Sequence, residues 1–317
     1  MDPFAGKDYR PMLIRDEAEP FDDLEWIFEL KLDGISALAY LDRRQTVLVN
    51  RSGRLSAGTF PELSNLHEHV EKQCIIHGEI TAMGKDGKPD FERVLRRSAT
   101  SGALRIRIAA GKNPVEFVAY DLLYIDGEDI LKKPLMERKE LLEKFSNNGG
   151  GLSLSPWIEE RGKAVFALAV AQGLEGVVGK RKNSLYYPGK RSGDWVKIKN
   201  LHDDDFVVCG YIRHKNSLAS VVLGQYSPQE ILVYKGHATL GVARKEFAVI
   251  RAHPEQERHP FAKEPPKNNA AAQWIRPDLV CVVQFAERTG NGGLRQPVFK
   301  GLRDDKPARD VVEKGMI

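Results

Sequence analysis

The hexapeptide Glu29-Leu30-Lys31-Leu32-Asp33-Gly34 sets one lysine between two carboxylates, ahead of a glycine. Residues 25–30 and 35–41 on either side are rich in aromatic and aliphatic side chains and read as two β-strands, so Lys31 falls near a strand end. A free lysine amine titrates near ~10.4 and is protonated at neutral pH, so nucleophilic use requires desolvation or a nearby cation. Asp33 alone pushes the wrong way. Further along, Trp195-Val196-Lys197-Ile198-Lys199 reads as a strand whose alternation throws Lys197 and Lys199 onto one face. Two like charges there repel, so water or an anion must lie over them. The residues themselves leave two readings of Lys31 open: a solvated strand face, or a nucleophile supplied with positive charge by that pair.

The rest of the composition narrows the class. A chain of 317 residues is long enough for two domains with separate cores. Its 42% hydrophobic and 29% charged residues exclude disordered, collagenous and disulfide-scaffold classes. The net charge of +4 is compatible with a polyanionic partner without specifying one. Cys74, Cys209 and Cys281 are odd in number, widely spaced and set in apolar runs, as reduced core thiols of a cytoplasmic protein are. No window approaches the roughly eighteen apolar residues a membrane helix needs, and residues 1–16 contain no apolar leader core, so neither a span nor a secretory signal is expected.

Residues 1–24 read as a Pro- and acid-containing lead-in that packs late. A third strand over 46–51 ends in the turn Asn50-Arg51-Ser52-Gly53, which can aim Arg51 toward Lys31. Residues 60–73 carry Leu63, Leu66 and Val70 at helical spacing. In the strand 74–81, His77 reads as structural, whereas Glu79 puts a carboxylate into an apolar run: an edge-strand surface group, or a ligand for a ribose hydroxyl or a metal. Arg93, Arg96, Arg97, Arg105, Arg107 and Lys112 form the densest basic stretch, read either as a phosphate contact without compensating acids or as a solvated helical face. A β run over 115–124 carries Tyr120, and helices are expected over 131–145 and 162–173. Glu175-Gly176-Val177-Val178-Gly179-Lys180 reads as a short buried strand; its spacing excludes a P-loop, and no dinucleotide fingerprint is present. Short strands follow from about residue 203, with one helix over 244–251, in the texture of a small oligonucleotide-binding barrel.

In this order the motifs resemble those of ATP-dependent DNA ligases, within the covalent nucleotidyltransferase superfamily, and the small bacterial end-joining ligases most of all. Lys31-Leu32-Asp33-Gly34 is similar to the nucleophile motif, Asn50-Arg51-Ser52-Gly53 to the arginine motif, and His77-Gly78-Glu79 to the third. Ala119-Tyr120-Asp121-Leu122-Leu123 resembles the adenine-stacking strand. The stretches 175–180 and 195–199 resemble the fourth and fifth motifs, and Arg303-Asp304-Asp305-Lys306 the last.

The resemblance implies an α+β fold: an antiparallel-sheet nucleotidyltransferase domain over 1–201, then an OB-fold β-barrel over 202–317. It implies an enzyme that seals 3′-hydroxyl/5′-phosphate nicks in duplex DNA with ATP and Mg²⁺, Mn²⁺ being a substitute. Lys31 would form lysyl-AMP, Glu29 would read the adenine amino group, and Tyr120, where the family usually has phenylalanine, would stack on the ring. Arg51 would grip phosphate, Glu79 would bind ribose or metal, and Glu175 would ligate metal. Lys197 and Lys199 would stabilise the α-phosphate and help keep Lys31 unprotonated, and Arg303 and Lys306 would orient pyrophosphate. One departure stands out: Ser36 occupies a position where the family commonly has arginine. Either Arg51 or another basic residue compensates, or contacts to nucleotide or nick are weaker. The implied partners are nicked DNA and, as a candidate, an end-binding repair protein, with the ligase a cytoplasmic monomer. The rival readings are an RNA ligase or capping-type guanylyltransferase, and a nucleic-acid-binding module that has lost catalysis.

Overall fold

The computed structural model describes residues 3–53, 58–213, 219–239, 244–289 and 292–313. The chain divides into two compact units, Met1–Asn200 and Leu201–Ile317. Strands of the first unit are β1 (Leu13–Glu17), β2 (Trp26–Leu30), β3 (Ile35–Leu41), β4 (Thr46–Asn50), β5 (Cys74–Thr81), β6 (Glu116–Ile125), β7 (Glu128–Asp129), β8 (Leu152–Leu154), β9 (Trp157–Glu159), β10 (Gly176–Arg181) and β11 (Arg191–Lys199). Its helices are α1 (Pro3–Gly6), α2 (Phe91–Ala99), α3 (Ala103–Lys112), α4 (Leu135–Phe145) and α5 (Gly162–Ala171). One sheet runs β1-β11-β10-β2-β9; the other runs β4-β3-β5-β6-β7, with β8 paired to β6. Pairing is antiparallel except for β1 on β11 and β8 on β6.

Strand alternation sorts the side chains into layers. Ala37, Ala39, Leu41, Ile76 and Phe117 turn outward onto Phe60, Leu63, Val94, Leu142 and Phe145. Leu38, Tyr40, Ile75 and Leu123 turn inward, where they meet Ile27, Tyr186 and Trp195. Beyond the other sheet, Trp26, Phe28, Val177, Val196 and Ile198 pack with Val165 and Ala169 of α5. Burial on both faces explains why β2, β3 and β6 read as nearly unbroken apolar runs, and each large side chain so buried contributes about 1.5–3 kcal/mol. Alternation also fixes where the polar residues go. Glu29 shares the inward face of Ile27, Ser36 that of Leu38, His77 and Glu79 that of Ile75, and Lys197 that of Trp195.

The lead-in is part of the fold: β1 pairs with β11, and Phe4, Tyr9 and Met12 are buried in the core between the sheets. Two expectations are corrected here. The stretch 60–73 forms two 3₁₀ turns, Pro61–Leu63 and Leu66–His69, rather than an α-helix. The basic stretch has acids after all, since Arg97 pairs with Glu62 at 2.7 Å, Arg93 with Asp90 at 3.1 Å and Arg96 with Glu92 at 4.0 Å. Asp90 also caps α2, accepting the amide of Arg93 at 3.0 Å.

The second unit contains β12 (His202–Arg213), β13 (Ala219–Tyr226), β14 (Leu232–Thr239), α6 (Arg244–Ala252), β15 (Glu255–Gln256), β16 (Gln273–Phe285), β17 (Glu287–Arg288), β18 (Leu294–Arg295) and β19 (Val298–Arg303). Strands β12, β13, β14, β19 and β16 follow one another, and β16 returns to pair with β12, so the sheet closes on itself. Each of these strands is paired on both sides, and the interior is filled by Phe206, Val208, Leu223, Cys281, Val283 and Phe299. This is the small barrel expected from the sequence. Cys74, Cys209 and Cys281 are all buried free thiols, as expected.

Candidate active site

Where the inward faces of the two sheets stop being apolar, a cavity of about 290 Å³ opens. Glu29, Lys31, Val178, Lys180, Trp195 and Lys197 line it from the β1–β9 sheet. Ser36, His77, Glu79 and Tyr120 face it from the other sheet, and Arg51 and Arg191 also line it. Of the residues singled out from the sequence, the fold thus brings Lys31, Glu29, Arg51, Glu79, Tyr120 and Lys197 to one space. Glu175 joins them through Lys31.

Lys31 follows the last residue of β2, and its amide donates to the carbonyl of Gly176 at 2.9 Å. Gly176 has φ +138° and a Cβ there would lie 2.1 Å from the carbonyl oxygen of Ile198, so only glycine lets β10 and β11 approach at this point. The Lys31 ammonium donates to Glu175 Oε2 at 2.7 Å, with the lysine side chain 18% and the glutamate 8% exposed. Gly34, three residues on, begins the turn into β3 under similar constraint, because a Cβ would meet the Ile80 carbonyl oxygen at 2.3 Å and Glu79 Cγ at 2.8 Å. Replacing Gly34 by alanine is therefore expected to push β3 from β5 and cost about 1–3 kcal/mol in thermal or urea unfolding.

The two lysines of the pair have different surroundings. Lys197 has its amine pulled down by burial, with Lys199 adding repulsion. Lys199, however, is engaged by Glu17 of β1 at 2.5 Å. The Lys31 ammonium itself meets the carboxylate of Glu175. Glu79 behaves oppositely: burial, with the charges of Glu175 and Asp33 added and Lys31 opposing, pushes its carboxyl up to about 8.

Several site residues escaped the sequence reading. Glu29 is 3% exposed and held by three groups: Lys139 of α4, with Nζ 2.6 Å from Oε1, Lys180 Nζ at 2.9 Å from Oε2, and the Ser155 hydroxyl at 3.0 Å from Oε2. Burial works against its charge, yet the two ammonium groups prevail and hold the carboxyl below its ordinary value. The Lys180 ammonium also lies 4.3 Å from the centre of the Tyr120 ring and 4.2 Å from that of Trp195. His77, expected to be structural, lines the cavity and organises its floor: Nε2 lies 2.9 Å from both Ser36 Oγ and Tyr120 OH, and Nδ1 2.9 Å from Tyr186 OH. Burial, then the charge of Lys180, keeps this imidazole neutral. Ser36 is thus integrated into a neutral hydrogen-bonded network. Period-two alternation could have assigned Lys180 and His77 to the inward face; nothing local points to Lys139.

Arg303 and Lys306 belong to the second unit. Arg303 holds Asp205 at 2.8 and 3.0 Å and Asp305 at 2.6 Å, and Lys306 reaches Asp205 at 2.9 Å.

Among the described residues, no group of three or more His, Cys, Asp or Glu side chains is placed to hold a metal ion. The carboxylates of Glu79 and Glu175 nevertheless suit a hard divalent cation of the Mg²⁺ type, which takes one or two carboxylates and completes its shell with water and substrate phosphate. A carboxyl as reluctant to ionise as Glu79 is one that a cation would settle. Among the described residues, no helix is long and apolar enough to cross a membrane.

Comparison with known proteins bears on this arrangement. A family profile described as "ATP dependent DNA ligase domain" matches residues 11–199, and one described as "ATP dependent DNA ligase C terminal region" matches 214–306. The multifunctional non-homologous end joining protein LigD of Pseudomonas aeruginosa is 34% identical over 299 residues, covering 90% of this chain but 34% of that protein. The chain therefore spans about a third of that relative's length. The SPbeta prophage-derived DNA ligase-like protein LigB of Bacillus subtilis is 28% identical, with 92% of this chain and 98% of that one covered. A solved structure of mycobacterial DNA ligase D complexed with ATP and MES superposes with a TM-score of 0.57 at 29% identity, covering 97% of this chain and 99% of the other.

Proposed function

The chain belongs to the ATP-dependent DNA ligase family, and from that premise we propose that it seals 3′-hydroxyl/5′-phosphate nicks in duplex DNA through a covalent lysyl-AMP. The observation that carries the reading is Lys31 Nζ on Glu175, at a cavity lined by Glu29 and Tyr120 and by the cations Arg51, Arg191 and Lys197.

Three transfers make up the reaction. In the first, a bond forms from Lys31 Nζ to the α-phosphorus of ATP while the bond to the pyrophosphate bridging oxygen breaks, and its electron pair leaves with pyrophosphate. The Lys31 ammonium first gives one proton to Glu175 Oε2, the acceptor already in contact with it, which frees the attacking lone pair, and the second proton, shed as the N–P bond forms, leaves with pyrophosphate. In the second, an oxygen of the DNA 5′-phosphate displaces Lys31, which takes its proton back and leaves AMP on the DNA. In the third, the 3′-hydroxyl oxygen bonds to that 5′-phosphorus, the bond from that phosphorus to the bridging oxygen breaks, and AMP departs with its electron pair while the hydroxyl proton is released to solvent.

Glu29 and Tyr120 bind adenine, Arg51 and Lys197 bind phosphate, and Lys199 supports Lys197. Their work is positioning and neutralisation of charge on phosphate oxygens, donated from a partly dehydrated wall. Glu79 and Glu175 are the residues that would hold Mg²⁺, with Glu79 also in reach of ribose. When bound, the cation supplies Lewis-acid neutralisation of the phosphates. Arg303 and Lys306 bind pyrophosphate, and doing so requires them to exchange Asp205 for phosphate oxygens. A soluble cytoplasmic monomer acting beside an end-binding repair protein fits the reduced thiols and the nick as substrate.

Incubation of the purified protein with Mg²⁺ and α-labelled ATP or GTP, followed by denaturing electrophoresis, tests this. Label retained from ATP, a mass gain of one AMP, and sealing of a nicked duplex are expected. Label retained from GTP alone would assign the chain to guanylyl transfer instead.

A further inference from the structure

We propose that Asp205 competes with pyrophosphate for Arg303 and Lys306, so that the product of the first transfer is held weakly and is kept from reversing lysyl-AMP. The proposal rests on the adenylyl-transfer reading above and adds to it the residue that sets how tightly pyrophosphate binds.

The three side chains meet on the outer face of the barrel. Phe206, next to Asp205 on β12, and Leu302, next to Arg303 on β19, both pack with the barrel interior, so alternation turns Asp205 and Arg303 outward. They reach each other over β16, whose Val282 pairs with Asp205 and whose Val280 pairs with Arg303. Asp205 accepts from both cations: Arg303 Nη1 lies 2.8 and 3.0 Å from its two oxygens, and Lys306 Nζ 2.9 Å from Oδ2. Asp305 takes another edge of the guanidinium, with Nε at 2.8 Å and Nη2 at 2.6 Å.

A phosphate oxyanion binds arginine best through two parallel N–H groups. Here the Nε–Nη2 edge is filled by Asp305, and the Nη1–Nη2 edge is occupied at Nη1 by Asp205. Two cations face two carboxylates, so these four side chains carry no net charge to draw in an anion. Both cations stay partly exposed, so an anion can arrive, but it has to displace a carboxylate to remain. The two carboxylates differ in how readily they yield. Asp305 is 65% exposed and can turn into water. Asp205 is 14% exposed, and its backbone is pinned by pairing with β16 and by Gln225 Nε2, which donates to its carbonyl at 2.9 Å. Asp205 is therefore the fixed competitor.

Reversal is what weak retention prevents. In that step an oxygen of pyrophosphate bonds to the α-phosphorus of lysyl-AMP while the N–P bond breaks. Lys31 keeps the electron pair and takes up one proton from pyrophosphate and one from Glu175, and ATP is regenerated. Its rate at a given pyrophosphate concentration follows the occupancy of Arg303 and Lys306, which Asp205 lowers.

The test uses the full chain, adenylated with labelled ATP, freed of nucleotide and then given inorganic pyrophosphate with Mg²⁺; the readout is label returned as ATP. Asp205→Asn keeps the shape and removes the charge. Its KM for pyrophosphate is expected to fall about fivefold or more, because a charged acceptor is exchanged for a neutral one about half as strong, with turnover within about twofold of wild type. A merely structural role would raise that KM or slow turnover, and either result, like an unchanged KM, overturns the proposal. Asp203→Asn removes the same charge from an exposed side chain two residues back on β12. If it lowers the KM equally, net charge is the cause and the proposal fails. Should Asp205→Asn fold poorly, Asp205→Ser removes the carboxylate with less bulk and is expected to show the same fall. If wild type forms no adduct with any nucleotide, the transferase reading fails by itself. Calorimetric titration of the full chain with pyrophosphate then decides: tighter binding by Asp205→Asn than by wild type supports the competition, and equal, weaker or absent binding overturns it.

Discussion

Lys31→Ala is expected to retain no label from ATP, to show no mass gain, and to lose nick sealing by a factor on the order of 10⁶, as when a covalent nucleophile is deleted. The loss is this large because no neighbour replaces the amine. Lys197 has the depressed amine but lines the cavity with Arg51 and Arg191, and Lys180 is buried against Glu29, Tyr120 and Trp195. Lys31→Arg should fail equally, since a guanidinium stays protonated and offers no lone pair. The informative control is a nick already carrying AMP on its 5′-phosphate. That substrate needs only the attack of the 3′-hydroxyl, in which Lys31 takes no covalent part, so Lys31→Ala should seal it at a rate within about tenfold of wild type. Covalent labelling of Lys31→Ala at the wild-type level would move the nucleophile elsewhere and end the proposal as stated.

That Lys31 stood out in the sequence at all follows from local pattern. Strand periodicity put the motif at the end of β2 and sent Lys197 and Lys199 to one face, and both follow from alternation within a few residues. What alternation cannot report is the partner across the gap. Lys180 meets Glu29 from 151 positions away and Glu175 meets Lys31 from 144, so the sequence signalled charges on a face without saying which were already neutralised. Lys199 shows the same limit: Glu17, in the segment read as a lead-in, holds it once β1 has paired with β11. The helix expected over 60–73 failed differently. Leu63 and Leu66 are three apart, a spacing that an α-helix and a 3₁₀ turn satisfy alike, and two short turns suffice to bury both. The barrel was legible because apolar strand-like runs recur from about residue 203 with one helix among them.

Arg138→Met carries the largest expected loss of stability, about 3–5 kcal/mol, because it strands a carboxylate in the core. Arg138 and Asp121 are both 0% exposed and form a two-pronged pair, Nε to Oδ1 at 2.8 Å and Nη2 to Oδ2 at 2.8 Å. The pair ties α4 to β6 beside Tyr120, and Arg138 also donates to the Ser184 carbonyl at 2.9 Å. For a unit of roughly 200 residues each kcal/mol lowers the melting temperature by about 2–4 °C, so a fall on the order of 10 °C is expected by calorimetry. The double variant Asp121→Leu/Arg138→Met decides what the pair is for. If its contribution is only mutual neutralisation, removing both charges should restore most of the melting temperature, since an apolar pair fills the same volume without desolvating ions. If the double variant melts as low as Arg138→Met, the guanidinium matters as the donor that satisfies the carbonyls of Lys133 and Ser184, which an apolar side chain leaves buried without a partner. In that case adenylation should fall with stability, because this side chain pairs the helix bearing Lys139 with the strand bearing Tyr120.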